Sequence, residues 1–484
     1  VSSGKRGTGQ RDLTSGPIAK TLLAFALPTL GSSILQSLNG SINAVWVGRF
    51  LGEDALAATS NANIIMFLLT AFVFGFGMAA TILIGQAFGR GDVDGARRVI
   101  GTATGAFVFV AFAVATAGWF LAPQILRILA TPPDAAPLAL AYLRVIFIAM
   151  PPALIMISWM MALRGSGDSL TPLWFMILAV LLDSGLNPVF ILGLGPAPRL
   201  GIAGAATATV IANYVSLFAL IAYVYLRDLP LRLRGRELRY LKPDPAILRT
   251  MVAKGLPMGL QMIVISSSAL ALIGLVNREG VHTTAAFGVA MQLWGYLQMP
   301  AMALGAAVSA MAAQNIGAGR WDRVGAITKA GVLYHFLFTG VLVALLAAAD
   351  RPALALFLGE NSAALPIARH IQLLGTWSFL LFGVTLVIFG TVRANGAVIG
   401  PLIILAIGLI PVRLGFAVGA YPWLGADALW LSFPVSSIAN MALAVAFYRY
   451  GGWRKGRIAI PSTEQAVEQA NAATMPGGRI NPSG

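Results

Sequence analysis

An aspartate and an asparagine four residues apart, Asp183 and Asn187, fall in the run Leu181-Leu182-Asp183-Ser184-Gly185-Leu186-Asn187-Pro188. That spacing puts both on one face of a helix. The surrounding stretch from Pro172 to Gly193 is apolar and long enough to cross a bilayer. A carboxylate midway along such a span costs about 3 kcal/mol or more, so it faces a cavity or a partner and marks an ion or proton path. Two chemistries fit. Asp183 alone can take up and release a proton, or Asp183, Asn187, Asn43 and Thr209 together can offer oxygens to Na+, a hard cation that prefers them. One carboxylate suffices for a proton, which favours H+. The plainer role is a polar pairing that only locks the helix in place.

Little else in the chain supports chemistry. The absence of cysteine excludes disulfides, thiol nucleophiles and cysteine metal sites. His282, His335 and His370 lie far apart, and no HExxH pair occurs. A membrane-embedded enzyme would need a catalytic set, and one carboxylate without a nearby His, Cys or second acid does not make one. The expectation is a non-enzyme with no cofactor or resident metal beyond a coupling ion, H+ or Na+.

The elements that carry Asp183 follow from composition. Of 484 residues, 58% are hydrophobic and 11% charged, with a mean hydropathy of +0.80. That balance belongs to a many-helix membrane protein, here an all-α one with twelve spans. The net charge of +15 could suggest nucleic acid. If the N-terminus is cytoplasmic, however, most of the 33 basic residues fall in the tails and in the loops after even-numbered helices. The positive-inside rule requires that distribution, so the charge reports topology, not nucleic-acid binding. The expected location is the inner, cytoplasmic membrane, with both termini cytoplasmic, lipid around the bundle, and an uncleaved first helix.

Helix 1 is expected over residues 17–47, after a cytoplasmic tail of residues 1–16, with a bend at Pro28, which cannot donate to the preceding turn. Gln36, Asn39 or Gly40, and Asn43 recur at helical spacing on one face, which looks inward to neighbouring helices or to a cavity. Helix 2 (54–84) leads into a Gly-rich loop, Gly85 to Asp94, which lacks the GK[ST] ending of a phosphate loop. Helices 3 (96–121), 4 (137–163), 5 and 6 (201–226) complete an N-lobe over 17–226. Helix 6 opens with small residues, Gly201 to Thr209, that permit close helix approach. A basic cytoplasmic linker (227–246) precedes a C-lobe (247–448) and a polar tail (449–484) expected to be disordered.

The second half repeats the first. Shifted by 228, Gly52 falls on Gly280, Gln86 on Gln314, Gly89 on Gly317 and Gly91 on Gly319; shifted by 229, Pro28 falls on Pro257 and Arg164 on Arg393. Six spans per half give both halves the same sense, which predicts two six-helix bundles related by a pseudo-twofold axis along the membrane normal. The repeat fails at the acid. Asp183 shifted by 229 lands on Val412, and no acid occurs in the interior of helices 7 to 12.

Val47-Gly48-Arg49 with Leu51-Gly52 and Ala55-Leu56-Ala57-Ala58, the Gln86 to Asp94 loop, Leu163 to Asp168, Gly201 to Thr209 and Ala313 to Gly319 together resemble the multidrug and toxic compound extrusion (MATE) family, closest to its DNA-damage-inducible-like branch. The resemblance runs from about residue 17 to 450. It implies an alternating-access antiporter, monomeric, that exports small organic and often cationic compounds against an inward flow of H+ or Na+. It also implies substrate contacts at Gln36, Asn39, Met66, Ser158, Met176 and Asn213. Family members usually carry an aspartate where this chain has Asn43, and the branch often has Asn then Asp in helix 5, where this chain has Asp183 then Asn187. Acids that another branch places in helices 7 and 10 are apolar here, near Ile265 and Phe382. A flippase for lipid or lipid-linked saccharide, of related fold, would line its cavity with cations, and helices 1, 2, 7 and 8 offer almost none.

Overall fold

In lipid every backbone N–H and C=O must be satisfied within the chain, and this sequence does so with helices. The computed structural model describes residues 10–51, 53–128 and 136–455, and the side chains of all of these except 44, 48 and 53–69. The first half holds α1 (Ile18–Leu51), α2 (Glu53–Gly89), α3 (Val93–Ile128), α4 (Ala136–Gly165), α5 (Leu170–Leu192) and α6 (Ile202–Leu226). The second holds α7 (Pro245–Val276), α8 (Val281–Gly317), α9 (Trp321–Ala348), α10 (Asp350–Leu358), α11 (Ala364–Gly375), α12 (Ser378–Ala394), α13 (Ile399–Ile407), α14 (Arg413–Gly419), α15 (Tyr421–Leu424) and α16 (Asp427–Tyr450). Among the described residues there are 11 candidate spans, or 12 when α11 and α12, bent by 48°, count as one.

Several expected boundaries move. The helix expected to end at 84 runs on to Gly89, so the Gly-rich stretch is mostly helix and the turn itself is short. Gly91 closes it at φ +77° and its repeat partner Gly319 at +73°, a left-handed backbone that favours glycine. Helix 3 extends to Ile128. The eleventh span is not a simple helix, because α13 passes into α14 through a π-helical turn, Gly408–Val412, that contains Pro411. Between α6 and α7 the linker forms a 3-10 helix, Gly235–Leu241. The chain beyond α16 is ordered further than expected, with a short turn at Gly452–Lys455 and Trp453 buried; residues 456–484 of the expected tail lie outside the described residues.

The two halves meet in a reciprocal contact. A Cβ on Gly89 (α2) would collide with the Gln314 carbonyl (α8), and a Cβ on Gly317 (α8) would collide with the Gln86 carbonyl (α2). Residue i of one half touches j of the other while j touches i, as a twofold interface demands. Close packing between lobes continues along α2 and α7, where Gly75 lies against Gly255 and Gly259. At the same end of the bundle the segment before α1 crosses between lobes. Gln10 pairs its backbone with Asp168 and donates its side-chain N–H to Ser166 O at 3.1 Å, while Asn315 donates to Leu13 O at 2.9 Å. Leu13 is fully buried there.

Candidate coupling and substrate site

α5 is started by the motif Leu163 to Asp168. The Asp168 carboxylate accepts from the backbone N–H of Leu170 (3.1 Å) and Thr171 (2.9 Å), the free donors of a first helical turn. α6 then lies close against α5, because a Cβ on Gly204 would collide with the Phe190 carbonyl. This approach is what the small residues of Gly201 to Thr209 permit. It carries Thr209 to the acid.

Asp183 is 3% exposed. Thr209 donates its hydroxyl to Oδ1 at 2.9 Å, and Asn39 of α1 donates Nδ2 to Oδ2 at 3.0 Å. Asn187 donates Nδ2 to the Asp183 backbone carbonyl at 2.8 Å and reaches Oδ1 at 3.5 Å. No ion pair to Asp183 is present among the described residues. The carboxylate is therefore held by neutral donors from three helices, α1, α5 and α6. On the acceptor side the site is unsaturated: the amide oxygens of Asn39, Asn43 and Asn187 and the Ser184 hydroxyl are buried without partners.

Of the expected coupling-ion residues, Asp183, Asn187 and Thr209 come together by hydrogen bonds, and Asn43 stands one turn beyond Asn39 on α1 with its Oδ1 free. Asn39, expected at the substrate, is bonded to the acid itself. Asn213 of α6 reaches the Ala149 carbonyl of α4 at 3.5 Å. Ser158 is fully buried with an unpartnered hydroxyl, Met176 is partly buried against the core that runs through both lobes, and Gln36 is exposed. The Met66 side chain lies outside the described residues. α1 runs unbroken through Pro28, with the Thr29 and Ser32 hydroxyls bonded to the carbonyls of Phe25 (3.1 Å) and Pro28 (3.0 Å).

Two buried residues, one in each lobe, were not singled out from the sequence. Tyr142 of α4 is buried within electrostatic reach of Asp183. Arg413 is buried in the C-lobe, one position beyond the repeat partner of Asp183. A comparison of the two halves for charge of either sign, not only for acids, would have found it.

The MatE family model matches the chain twice, over residues 28–189 and 257–418, one copy per lobe. Among curated relatives, the probable multidrug resistance protein YoeA of Bacillus subtilis is 36% identical over 91% of this chain and 95% of its own length. The probable multidrug resistance protein YpnP of the same organism is 31% identical over 92% and 97%. A solved structure described as the outward-facing conformation of a multidrug resistance MATE family transporter superposes with a TM-score of 0.84 at 20% identity, covering 93% of this chain and 98% of that one. With two copies of the family model, relatives matched nearly end to end and a two-bundle fold shared with MATE transporters, the chain belongs to the MatE family of multi-pass membrane transporters and not to a family of enzymes.

Proposed function

We propose that the chain is a secondary antiporter that exports small organic compounds, often cationic and lipophilic, across the inner membrane in exchange for H+, with Asp183 as the coupling carboxylate. The observation that carries this reading is a deeply buried carboxylate held by neutral donors, Asn39, Thr209 and, at longer range, Asn187. Both termini are cytoplasmic in this reading, so the lobes are closed at the cytoplasmic face and the site belongs to an outward-facing state.

As arranged, the Asp183 carboxylate accepts two short hydrogen bonds and a longer one from Asn187, which suits the ionised form. A proton added from outside turns an accepting oxygen into a donor and sets it against the Asn39 N–H. The free amide oxygens of Asn39 and Asn187 provide acceptors, because an amide that turns about its last bond exchanges donor for acceptor. Protonation thus re-pairs α1 with α5 and removes the charge that attracts a cationic substrate. Coupling follows because the ion and the substrate favour different states.

A second reading keeps the residues and changes the ion. The same free oxygens of Asn39, Asn43 and Asn187, with the Asp183 carboxylate and Thr209 hydroxyl, are ligands a Na+ would use. Purified protein in proteoliposomes with a fluorescent cationic dye separates the two. If an imposed pH gradient drives dye transport with proton release, and Asp183→Asn abolishes both without loss of protein, Asp183 is the proton site. Transport driven only by a Na+ gradient selects the cation cage. Full activity in Asp183→Asn sinks both, and no transport of any dye by the wild type moves the flippase reading forward.

A further inference from the structure

A second charge sits in the membrane part of this protein, in the other lobe and of the opposite sign. Arg413 opens α14, directly after the π-helical turn Gly408–Val412. Under the repeat it occupies the counterpart of Ser184, beside Asp183. Asp183 lies 13 residues into α5 and Arg413 lies 14 residues beyond the start of α13, so both stand roughly 20 Å from the cytoplasmic ends of their spans at 1.5 Å per residue.

Arg413 is 7% exposed. Nε donates to the Ser436 hydroxyl of α16 at 3.0 Å, and the guanidinium carbon lies 4.5 Å from the centre of the Phe433 ring. These two contacts use one N–H and one face of a group with five N–H donors. The four Nη hydrogens have no hydrogen-bond partner among the described residues, and the residue as a whole keeps 7% of its surface exposed. No carboxylate is available to this arginine: α7, α8 and α11 to α14 contain no acid, and the Asp427 of α16 lies nine positions before Ser436.

An unpaired cation at membrane depth is costly, and such groups by default face a cavity and serve a ligand. The adjoining π turn points the same way, since such turns concentrate at functional sites. Ser268 of α7 donates to the Leu409 carbonyl within that turn at 2.7 Å. One helical turn beyond Ser436, Asn440 is fully buried against Gly408 with both ends of its amide unpartnered. Ser436 donates its own hydroxyl to the Phe433 carbonyl at 3.0 Å and so only orients the arginine, which leaves the guanidinium and the free Asn440 amide as a donor set of the kind that holds a planar oxyanion.

We propose that Arg413, oriented by Ser436 and Phe433, is an anion site in the C-lobe that receives the carboxylate or similar oxyanion of an organic substrate. Asp183 in the N-lobe would then attract the cationic end of a substrate and Arg413 the anionic end, so zwitterionic compounds are the class that uses both lobes. This rests on the reading of the chain as an exporter of organic compounds.

The test uses purified full-length protein in lipid nanodiscs, with fluorescence polarisation of two probes: a zwitterionic xanthene dye bearing a free carboxylate, and its methyl ester, which is cationic only. In chloride-free buffer of low total anion concentration, Arg413→Gln is expected to weaken binding of the acid by about tenfold or more and to leave the ester within about twofold, as loss of one charge-assisted pair implies. Arg413→Lys is expected to retain part of the preference. Ester binding serves as the check that Arg413→Gln is folded, and its loss in Asp183→Asn tests the exporter reading separately. The proposal is overturned if Arg413→Gln weakens both probes alike or neither. It is also overturned if chloride at physiological concentration erases the wild-type difference between acid and ester, which would make the site a chloride site.

Discussion

Gln86 and Gln314, equivalent residues of the two halves, each cross to the opposite lobe and bond the last turn of a helix there. Gln86 donates Nε2 to the Ala394 carbonyl of α12 at 2.7 Å, and Gln314 donates Nε2 to the Gly165 carbonyl of α4 at 2.9 Å. Gly165 and Ala394 are themselves repeat partners. The pair therefore closes one face of the bundle twice, with the same chemistry in both directions. Each glutamine satisfies a carbonyl that its own helix leaves free.

Breaking this closure should shift the balance between the two access states. Removing either glutamine leaves a buried carbonyl without a donor, which costs about 1–3 kcal/mol. The double variant Gln86→Ala/Gln314→Ala is expected to lower the population of the closed-face state by at least tenfold. Because the chain has no cysteine, spin labels placed at Arg90→Cys and Asp322→Cys report the separation directly. An unchanged distance distribution would refute a latching role.

Gly89 should tolerate no side chain in this state. Its Cβ would meet the Gln314 backbone, not a flexible side chain that can move away. Gly89→Ala is expected to widen the same label distance and slow dye export, whereas Gly274→Ala, with nothing within 4 Å, is expected to stabilise the protein by about 0.5–1 kcal/mol through helix propensity. Thermal unfolding of both variants in one detergent checks the contrast.

Thr209→Val should act on coupling while keeping shape. It deletes the hydroxyl that donates to Asp183 at 2.9 Å, and a hydrogen bond to a charged group is worth about 1.5–3 kcal/mol. A loss of roughly tenfold or more in gradient-driven export is expected, with Thr209→Ser retaining most activity. Equal activity in Val and Ser variants would remove Thr209 from the coupling site.

Asp244 gives stability an acid limit. Burial alone would raise its carboxyl, but Arg98 at 2.8 Å and the N–H groups of Ala246 and Ile247 outweigh this and hold it below the usual carboxylate range. With the folded value depressed, its contribution is fully present above the unfolded value of about 3.9 and is lost as pH falls through the folded one. Asp244→Ala removes the cap of α7 and is expected to cost about 0.5–2 kcal/mol at neutral pH. The gap in melting temperature from wild type should close as the pH drops below about 4.

Much of the fold can be read along the chain because the bilayer imposes it locally. Span length, the basic bias of alternate loops and the repeat between Gln86 and Gln314 are properties of sequence position. The interruptions are harder to read. The bend between α11 and α12 and the π turn before Arg413 depend on whether neighbouring helices supply donors to freed carbonyls, as Ser268 does for Leu409.

The same division runs through the candidate site. That Asp183 and Asn187 share a face follows from helical periodicity, and that Asp183 is costly at its depth follows from the solvent. Which donors meet its two oxygens does not follow from either. Asn39 and Thr209 lie 144 and 26 positions away, and they reach the acid because Gly204 lets α6 close on α5 while α1 packs beside both. Arg413 likewise carries its charge in the sequence, but its pairing with Ser436 and Phe433 in place of an acid is a property of the packed C-lobe. Local periodicity and transfer to lipid are written residue by residue; long-range pairing is decided only when helices distant in sequence pack at a common depth.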